Sequence, residues 1–372
     1  MKKIAAILAL LLYCAISANN EISKDKQSHM KETKMTYTMP AEDLPHEGTW
    51  LTWPHPYTYG IEYQNELEDI WVQMTQALHI AEKVHIVAYN KKEQARIEKL
   101  LLADGVDMSQ IDFVISKSND VWIRDTGPIF VFDENNKLMI ADFCFDGWGK
   151  KVKFKNDNQI PVAVGIQKNI PVINISDFVL EGGSIEIDGN GTLIASLSSV
   201  VSKNRNQNLT VKQAEEYLFQ YLGVTNFIWL EGVTDEDITD AHIDGIARFL
   251  DNHTILTVSK DDFLELYENI NMNDYSTIQN AKNASGEPYE IVELPLTKKN
   301  VKGLDYKGSY LNYYIGNKVV LVPVYDDEND DVALEIISKL YPKKKIVPIK
   351  VNALFQYGGM IHCVTQQQPV SK

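Results

Sequence analysis

The sequence predicts an α/β protein built from repeated units, and three observations carry this prediction. From Tyr37 onward, apolar runs of strand length alternate with segments of helical periodicity. Four turn signals, each between two apolar runs, recur at intervals of 55, 63 and 65 residues. The composition, 44% hydrophobic and 23% charged, is that of an ordinary globular protein. A period of this size is typical of a closed array or propeller, and residues 37–372 would hold five units, with the two chain ends forming the fifth.

Residues 1–18 have the order of a signal peptide. Two lysines precede an apolar run from Ile4 to Ala15, and small residues follow, with cleavage expected after Ser17 or Ala18. The alternatives are a retained membrane anchor, a buried helix or lipidation at Cys14. We therefore expect an exported protein, periplasmic or secreted, that would be cytoplasmic if the signal is not used. Residues 19–36 are polar and aperiodic and predict a flexible leader.

The charge balance excludes several classes of partner. The chain has 36 basic and 51 acidic residues, a net charge of −15. Nucleic-acid-binding proteins are normally basic, so we expect no nucleic-acid partner. No later apolar run approaches the roughly 20 residues of a membrane span, so we expect no stable membrane insertion once the signal is removed. An acidic surface suits a cationic small molecule, although it also serves solubility alone.

Local periodicity predicts the individual elements. Leu67, Ile70, Trp71, Met74 and Leu78 fall at helical spacing, and a buried strand follows at Val84–Tyr89. Further helices are predicted at Lys91–Asp104, Val211–Leu222 and Asp331–Leu340. Further strands are predicted around Val114, Ile173, Ile228, Val292 and Val347.

The four turn signals predict four β-hairpins, since each places Asp, Asn or Gly between two apolar runs. The turns begin at Asp133, Asp188, Asp251 and Gly316. A carboxylate stands seven or eight residues before each of the first three turns, and these carboxylates are Asp125, Glu181 and Asp244. In a closed array they would begin equivalent strands and converge on one end of the axis. Converging carboxylates repel one another, and a bound cation would relieve the repulsion.

Three motifs surround these carboxylates, and each has a plainer reading. The segment Asn119–Pro128, NDVWIRDTGP, is either a recognition surface around Trp122 or an ion pair at a turn. In LEGGS, Leu180–Ser184, the paired glycines either let the backbone approach a ligand or form a plain turn. His242 and Asp244 would share one face of a strand, which suits an imidazole whose protonation is set by a carboxylate; a metal pair or chance is the alternative.

The fourth motif contains Cys363. It follows Gly358-Gly359 near the end of the chain, as either a buried structural cysteine or a nucleophile served by a distant His and Asp. Acyl transfer needs an oxyanion hole, not three carboxylates. A guanidinium fits better, because it is a planar cation that carboxylates bind through paired hydrogen bonds. Either this guanidinium or a cationic His242 is expected to lower the pKa of Cys363.

On these motifs the chain resembles the agmatine deiminase family, guanidine-modifying enzymes of the pentein fold. The resemblance covers residues 37–369. It rests on Met39-Pro-Ala-Glu42 with Trp50-Leu-Thr-Trp53-Pro54, and on NDVWIRDTGP, LEGGS, His242-Ile-Asp244, Asn312-Tyr-Tyr and the segment IHCVTQQQP around Cys363.

The resemblance implies a pentein α/β-propeller of five ββαβ-type units around a pseudo-fivefold axis. It also implies hydrolysis of agmatine, in putrescine and polyamine biosynthesis, to N-carbamoylputrescine and ammonia through a covalent cysteine intermediate, without metal or cofactor. The matching positions are Cys363 as nucleophile, His242 as general acid/base, and Asp125 and Asp244 as the carboxylates that bind the guanidinium. Glu181 would assist both guanidinium binding and His242, and Trp122 would pack on the guanidinium face.

The sequence departs from the family pattern at two places. These departures leave open which chemical group the protein selects at the end of the substrate away from the guanidinium. Asp240-Ala241 stands where many members have Asn-Gly, and Tyr357-Gly-Gly-Met360 stands where many have Gly-Gly-Gly-Asn. The alternatives are an exported deiminase of free or peptidyl arginine, giving citrulline, and an inactive exported protein that binds cations. The sequence leaves open the oligomeric state, with a homodimer as one alternative, and the pairing of Cys144.

Overall fold

The computed structural model describes residues 34–371, so the predicted signal peptide and most of the predicted leader lie outside the described residues. The strands of this part of the chain, numbered β1 to β17, are Tyr37–Thr38, His46–Thr52, Lys83–Ala88, Ile111–Ile115, Ile129–Asp133, Leu138–Cys144, Val172–Val179, Ile185–Ile187, Thr192–Ser196, Asn226–Leu230, Ala247–Phe249, Thr254–Val258, Glu290–Leu294, Tyr314–Ile315, Val319–Val324, Lys345–Lys350 and Gln366–Pro369.

Six described helices have eight residues or more. They are α1 Ile61–Leu78, α2 Lys91–Ala103, α3 Ile160–Lys168, α4 Val211–Leu222, α5 Met272–Gln279 and α6 Asp330–Leu340. Single helical turns lie at Pro56–Tyr59, Met108–Gln110, Ile123–Thr126, Gly147–Lys150, Asp157–Gln159, Gly182–Ser184, Leu197–Val200, Ile243–Gly245, Lys260–Phe263, Asn352–Phe355 and His362–Val364. Within residues 34–371 none of the helices is both long and apolar enough to cross a membrane.

The strands form five sheets with one recurring plan. The sheet orders are β1-β5-β6-β7, β8-β9-β10, β11-β12-β13, β14-β15-β16 and β17-β2-β3-β4. In each sheet an antiparallel pair is followed by a parallel strand, and a helix lies between the two parallel strands in the sequence. The fifth sheet pairs β17 near the end of the chain with β2, so both ends of the described chain contribute to it.

Helix α4 shows why these residues form helices. Thr210 accepts a hydrogen bond from the backbone of Gln213, whose side chain bonds back, so the first turn has a complete capping box. Its buried residues, Ala214, Leu218 and Leu222, repeat at four-residue spacing and pack on a sheet. The helix ends where Gly223 adopts a φ of 75°, a conformation that glycine reaches without steric cost.

The predicted α/β pattern is confirmed in its elements. Hairpins lie at all four predicted turns, and the predicted helix Val211–Leu222 is observed with the same bounds. Strands such as Thr254–Val258 are buried at every position, because a helix or a neighbouring sheet covers both faces. The sheets thus form a rigid frame, and the turns that precede the hairpins carry the polar residues described next.

Candidate active site

The predicted site residues lie in short turns, not in strands. This corrects the expectation that the carboxylates begin strands and that His242 and Asp244 share a strand face. Each turn is followed within four residues by the first strand of a hairpin, so the turns occupy equivalent places in their sheets. The turns are Ile123–Thr126 with Asp125, Gly182–Ser184 preceded by Glu181, Ile243–Gly245 with Asp244, and His362–Val364 with Cys363.

His242 is enclosed by carboxylates. Its Nε2 lies 3.0 Å from Oε2 of Glu181 and its Nδ1 lies 3.7 Å from Oδ1 of Asp125. Burial opposes protonation of the imidazole, but Asp125, Glu181 and Asp244 outweigh it and raise the pKa of His242 to about 9. At neutral pH His242 is therefore a cation, able to donate a proton.

Gly183 lets these side chains meet. A Cβ at this position would lie 2.6 Å from Nδ1 of His242, 2.9 Å from Oδ1 of Asp125 and 3.2 Å from Oδ2 of Asp244. The structure therefore favours the close-approach reading of LEGGS over a plain turn, because any side chain here would displace three of the predicted site residues.

Asp125 is held by two neutral donors. The backbone N–H of Gly183 donates to Oδ1 at 2.9 Å, and the indole N–H of Trp148 donates to Oδ2 at 3.0 Å. Burial raises the pKa of Asp125, and Glu181 and Asp244 add to the rise while His242 opposes it. The site thus holds Asp125 without full compensation of its charge, which favours a cationic ligand.

Asp244 is anchored by His362, a residue that the sequence analysis missed as part of the site. Nδ1 of His362 lies 2.8 Å from Oδ2 of Asp244, and its Nε2 lies 2.7 Å from Oε2 of Glu42. Although burial opposes ionisation, the hydrogen bond and charge of His362 keep the pKa of Asp244 below its ordinary value. Its place beside Cys363 was the available signal, since the turn His362–Val364 carries both into the site.

Cys363 lies between Asp244 and Asn312. Its Sγ is 3.8 Å from Oδ2 of Asp244 and 3.4 Å from Oδ1 of Asn312. Burial, followed by the charges of Asp244 and Asp125, raises the pKa of the thiol well above its ordinary value. The expectation that a cationic His242 would lower this pKa is therefore not met in the protein as described, because burial and the two carboxylates raise it. A further positive charge beside the sulfur is needed to lower it.

A buried arginine supports Glu181 from behind. Arg205 donates from Nε to Oε1 of Glu181 at 2.7 Å and from Nη1 to Oδ2 of Asp240 at 2.9 Å. Burial raises the pKa of Glu181, but Arg205 and His242 outweigh it and keep this pKa low. Asp240 and Ala241 have φ values of 62° and 64°, a region that Asn and Gly enter at least cost, so the departure from Asn-Gly puts backbone strain next to His242.

Three of the four arginines in the chain are buried around the site, and their rarity was a signal in the sequence. The chain uses lysine for most of its positive charge, and the planar guanidinium of an arginine suits a buried position where it forms several hydrogen bonds. The buried three are Arg124, Arg205 and Arg248.

One group in residues 34–371 has side chains close enough to hold a metal ion. Its ligand atoms, from Glu42, Glu186 and His362, lie within 4.8 Å of one another. Arg248 forms ion pairs with both glutamates, and Arg124 forms another with Glu42. These guanidinium groups already neutralise the carboxylates, so the donor set fits a structural ion-pair network better than a metal site.

A cavity of about 220 Å³ opens onto Cys363. Five of its twelve lining residues are aromatic. One of them, Trp122, a predicted substrate contact, packs so closely on Gly359 that a Cβ there would lie 2.3 Å from the indole ring. Its lining includes Asp120, Trp122, Asp125, Trp148, Tyr357 and Cys363.

The structure therefore brings a thiol, an imidazolium and carboxylates into one cluster, of which Cys363 and Asp125 line the cavity. The thiol can act as a nucleophile once a cation lowers its pKa. His242 can donate a proton and then accept one. Asp125 and Asp244 can bind a cation next to the sulfur.

Comparisons with known proteins agree on one family. A model of the Porphyromonas-type peptidyl-arginine deiminases matches residues 38–369. A Mycoplasma mycoides protein provisionally named an agmatine deiminase is 32% identical over 373 residues, which cover 93% of this chain and 100% of the relative. A Porphyromonas gingivalis structure provisionally named an arginine deiminase has a TM-score of 0.81 and 32% identity, covering 90% of this chain and 99% of that one. A C. jejuni agmatine deiminase with a cysteine-to-serine change and substrate bound has a TM-score of 0.78 and 26% identity, covering 90% and 97%.

Proposed function

The chain belongs to the Porphyromonas-type peptidyl-arginine deiminase family and is a hydrolase that acts on guanidino C–N bonds, and we propose that its substrate is agmatine. The products are N-carbamoylputrescine and ammonia. One observation carries the proposal: the Cys363 thiol faces Asp244, with Asp125 nearby, so the sulfur ionises readily only beside a cation. The curated relative and the substrate-bound C. jejuni structure, both named for agmatine, support this choice.

The reaction begins with substrate-assisted ionisation of Cys363. The guanidinium binds between Asp125 and Asp244, and its positive charge offsets the two carboxylates that keep the thiol protonated. Each such close pair contributes about 4 kcal/mol at an effective dielectric of 20, before desolvation. The thiol proton leaves to solvent, and the thiolate attacks the guanidinium carbon.

The first half-reaction releases ammonia. Attack by the thiolate gives a neutral tetrahedral adduct, and the imidazolium of His242 donates its proton to a terminal amino group of the adduct. The C–N bond breaks, ammonia leaves, and a cationic amidino-thioether remains on Cys363 while His242 becomes neutral. Glu181 holds the imidazole in position throughout, since its carboxylate lies 3.0 Å from Nε2.

The second half-reaction restores the enzyme. Neutral His242 accepts a proton from water, and the resulting hydroxide attacks the amidino carbon. The C–S bond breaks, the ureido product forms, and the departing thiolate takes up a proton from solvent, which replaces the one lost before the attack. The proton released from the hydroxyl group of this adduct converts the ammonia to ammonium.

Substrate profiling tests the proposal. The full chain is assayed for ureido product with agmatine, free arginine and a blocked arginine peptide. The proposal expects agmatine to be preferred, because the α-carboxylate of free arginine would bring an anion into an acidic cavity. Preference for the peptide would instead favour a peptidyl-arginine deiminase, and binding without turnover would favour an inactive cation-binding protein.

We also infer that the five sheets are the five units of a pentein α/β-propeller about a pseudo-fivefold axis. Their common hairpin–helix–strand plan supports this, as does the position of the site residues, which stand before the first hairpin strand of each sheet. These residues are Asp125, Glu181, Asp244, Asn312 and Cys363.

We propose further that residues 1–18 direct export and that residues 37–372 are a single deiminase domain. The order of charged, apolar and small residues supports the signal. N-terminal sequencing of the protein from its native source is expected to begin at Ala18 or Asn19. An intact Met1 in a cytoplasmic fraction would contradict export.

A further inference from the structure

Asp120 is a carboxylate of the cavity that the mechanism above does not use. The hydroxyl of Tyr63 donates to its Oδ1 at 2.7 Å, and that of Tyr59 donates to its Oδ2 at 3.0 Å. The backbone N–H of Val121 donates to Oδ1 at 2.9 Å. Asp120, Tyr59 and Tyr63 all line the cavity that contains Cys363, so this carboxylate is held in a fixed orientation inside the same space.

The charge of Asp120 is not neutralised by the protein. No ion pair within residues 34–371 includes it, and the nearby Asp157, which accepts the backbone N–H of Asp120 at 3.3 Å, brings no positive charge. Burial raises the pKa of Asp120. The Trp122 side chain is a further neutral donor to this carboxylate, beside Tyr59, Tyr63 and the backbone of Val121. All these donors are uncharged, so the carboxylate can still attract a cation from a ligand.

The remaining cavity wall suits a hydrocarbon chain. Trp122, Trp148, Val152 and Ile238 present apolar surface to the cavity, and among residues 34–371 no lysine or arginine lines it. The cavity thus combines two carboxylates, Asp120 and Asp125, with apolar walls. An aliphatic chain with a cation at each end matches this arrangement, whereas a carboxylate at the far end would meet negative charge without a partner.

We propose that Asp120, oriented by Tyr59 and Tyr63, binds the terminal ammonium of the substrate and makes the site selective for aliphatic dications. This rests on the proposed function, because the guanidinium must occupy the other end. The assignment predicts that aminoalkylguanidines are preferred over arginine and over uncharged alkylguanidines. It also predicts that short alkane diamines, which carry a cation at each end, compete with the substrate.

The test compares agmatine with n-butylguanidine, which lacks only the amino group. Asp120→Asn keeps the side-chain shape and removes the charge. Asp177→Asn is the matched control, because Asp177 is exposed, accepts a tyrosine hydroxyl from Tyr217 at 2.6 Å and does not line the cavity. Tyr59→Phe is a second variant that removes one donor to Asp120 without changing charge.

Asp120→Asn is expected to lower kcat/KM for agmatine about 10- to 100-fold, mainly through KM, since hydrogen bonds to charged groups have this strength. With n-butylguanidine, the kcat/KM of Asp120→Asn is expected to fall less than about threefold. The variant therefore loses the preference for agmatine over n-butylguanidine. Tyr59→Phe is expected to show a smaller loss of the same kind, and Asp177→Asn none. Equal kcat/KM for the two substrates in the wild type, or equal losses with both in Asp120→Asn, would overturn the assignment.

A binding measurement separates this inference from the proposed function. Calorimetric titration with 1,4-diaminobutane needs no turnover, and wild type is expected to bind it at least tenfold more tightly than Asp120→Asn. If wild type hydrolyses neither guanidine, the proposed function fails while this titration still decides the role of Asp120. Equal diamine affinity in the two proteins would contradict that role even if agmatine is hydrolysed.

Discussion

Oε2 of Glu181 lies 3.0 Å from Nε2 of His242, with Arg205 on the opposite side of the carboxylate. The arginine keeps Glu181 ionised, and Glu181 in turn helps to keep His242 protonated. This pairing explains how an imidazole that is buried away from water remains a proton donor at neutral pH.

Replacing Glu181 with Gln is expected to weaken His242 as an acid donor. Loss of the charge should lower the pKa of His242 from about 9 by about one pH unit or more. The high-pH limb of the kcat profile should move to lower pH by the same amount. NMR titration of labelled histidine measures the pKa directly, and an unchanged value would remove Glu181 from this role.

The stability of the fold should depend on pH through His242. Its folded-state pKa of about 9 lies above the ordinary value of 6.5, so the imidazolium stabilises the fold fully below about pH 6.5. This stabilisation, on the order of 3 kcal/mol, is lost as the pH rises through 9. Denaturant unfolding of wild type and His242→Gln should therefore give a stability difference that shrinks between pH 6 and pH 10. A constant difference would show that the pKa of His242 is not raised in the folded protein.

Asp125 and Asp244 should differ in their effects on stability, although we expect both to be needed for catalysis. Changing either to Asn is expected to lower kcat/KM by about 10²- to 10⁴-fold, as for removal of one partner of a buried charge pair. Asp125→Asn should keep or raise the thermal midpoint, because the raised pKa of Asp125 shows that its charge is unfavourable. Asp244→Asn should lower it, because Asp244 is stabilised by His362. The opposite order of midpoints would contradict this assignment of charges.

Gly183 offers a steric test of the same cluster. Gly183→Ala places a Cβ 2.6 Å from Nδ1 of His242, and the displacement should cost about 10²-fold or more in kcat/KM. Gly245→Ala is the matched control. Gly245 adjoins Asp244, but a Cβ added at this position would have no neighbouring atom within 4 Å. The control should retain activity within a few fold. Full activity of Gly183→Ala would mean that the side chains are not packed as described.

The sequence predicts the hairpins and most of the long helices because their signals are local. Turn residues between apolar runs mark each hairpin, and four-residue spacing marks helices such as Val211–Leu222. Helices α3 and α5 were not predicted. The first contains Pro161 and Gly165, and the second is short and largely polar, so neither has a strong helical pattern.

The site is predicted less completely, since its geometry depends on contacts between distant segments. The motifs name Cys363, His242 and the carboxylates, but a turn of three or four residues has no periodicity by which to place them. The supporting contacts of Arg205, Asn312 and His362 join different sheets, and no local pattern specifies which turns meet.

The covalent intermediate on Cys363 is the central claim, and acid quenching followed by mass spectrometry tests it directly. With excess agmatine, the wild-type peptide that contains Cys363 should gain the mass of agmatine less ammonia, and the adduct should decay as ureido product accumulates. Cys363→Ser should form neither the adduct nor the product while keeping its fold. Product formation without any adduct in the wild type, or substantial hydrolysis by Cys363→Ser, would contradict the account.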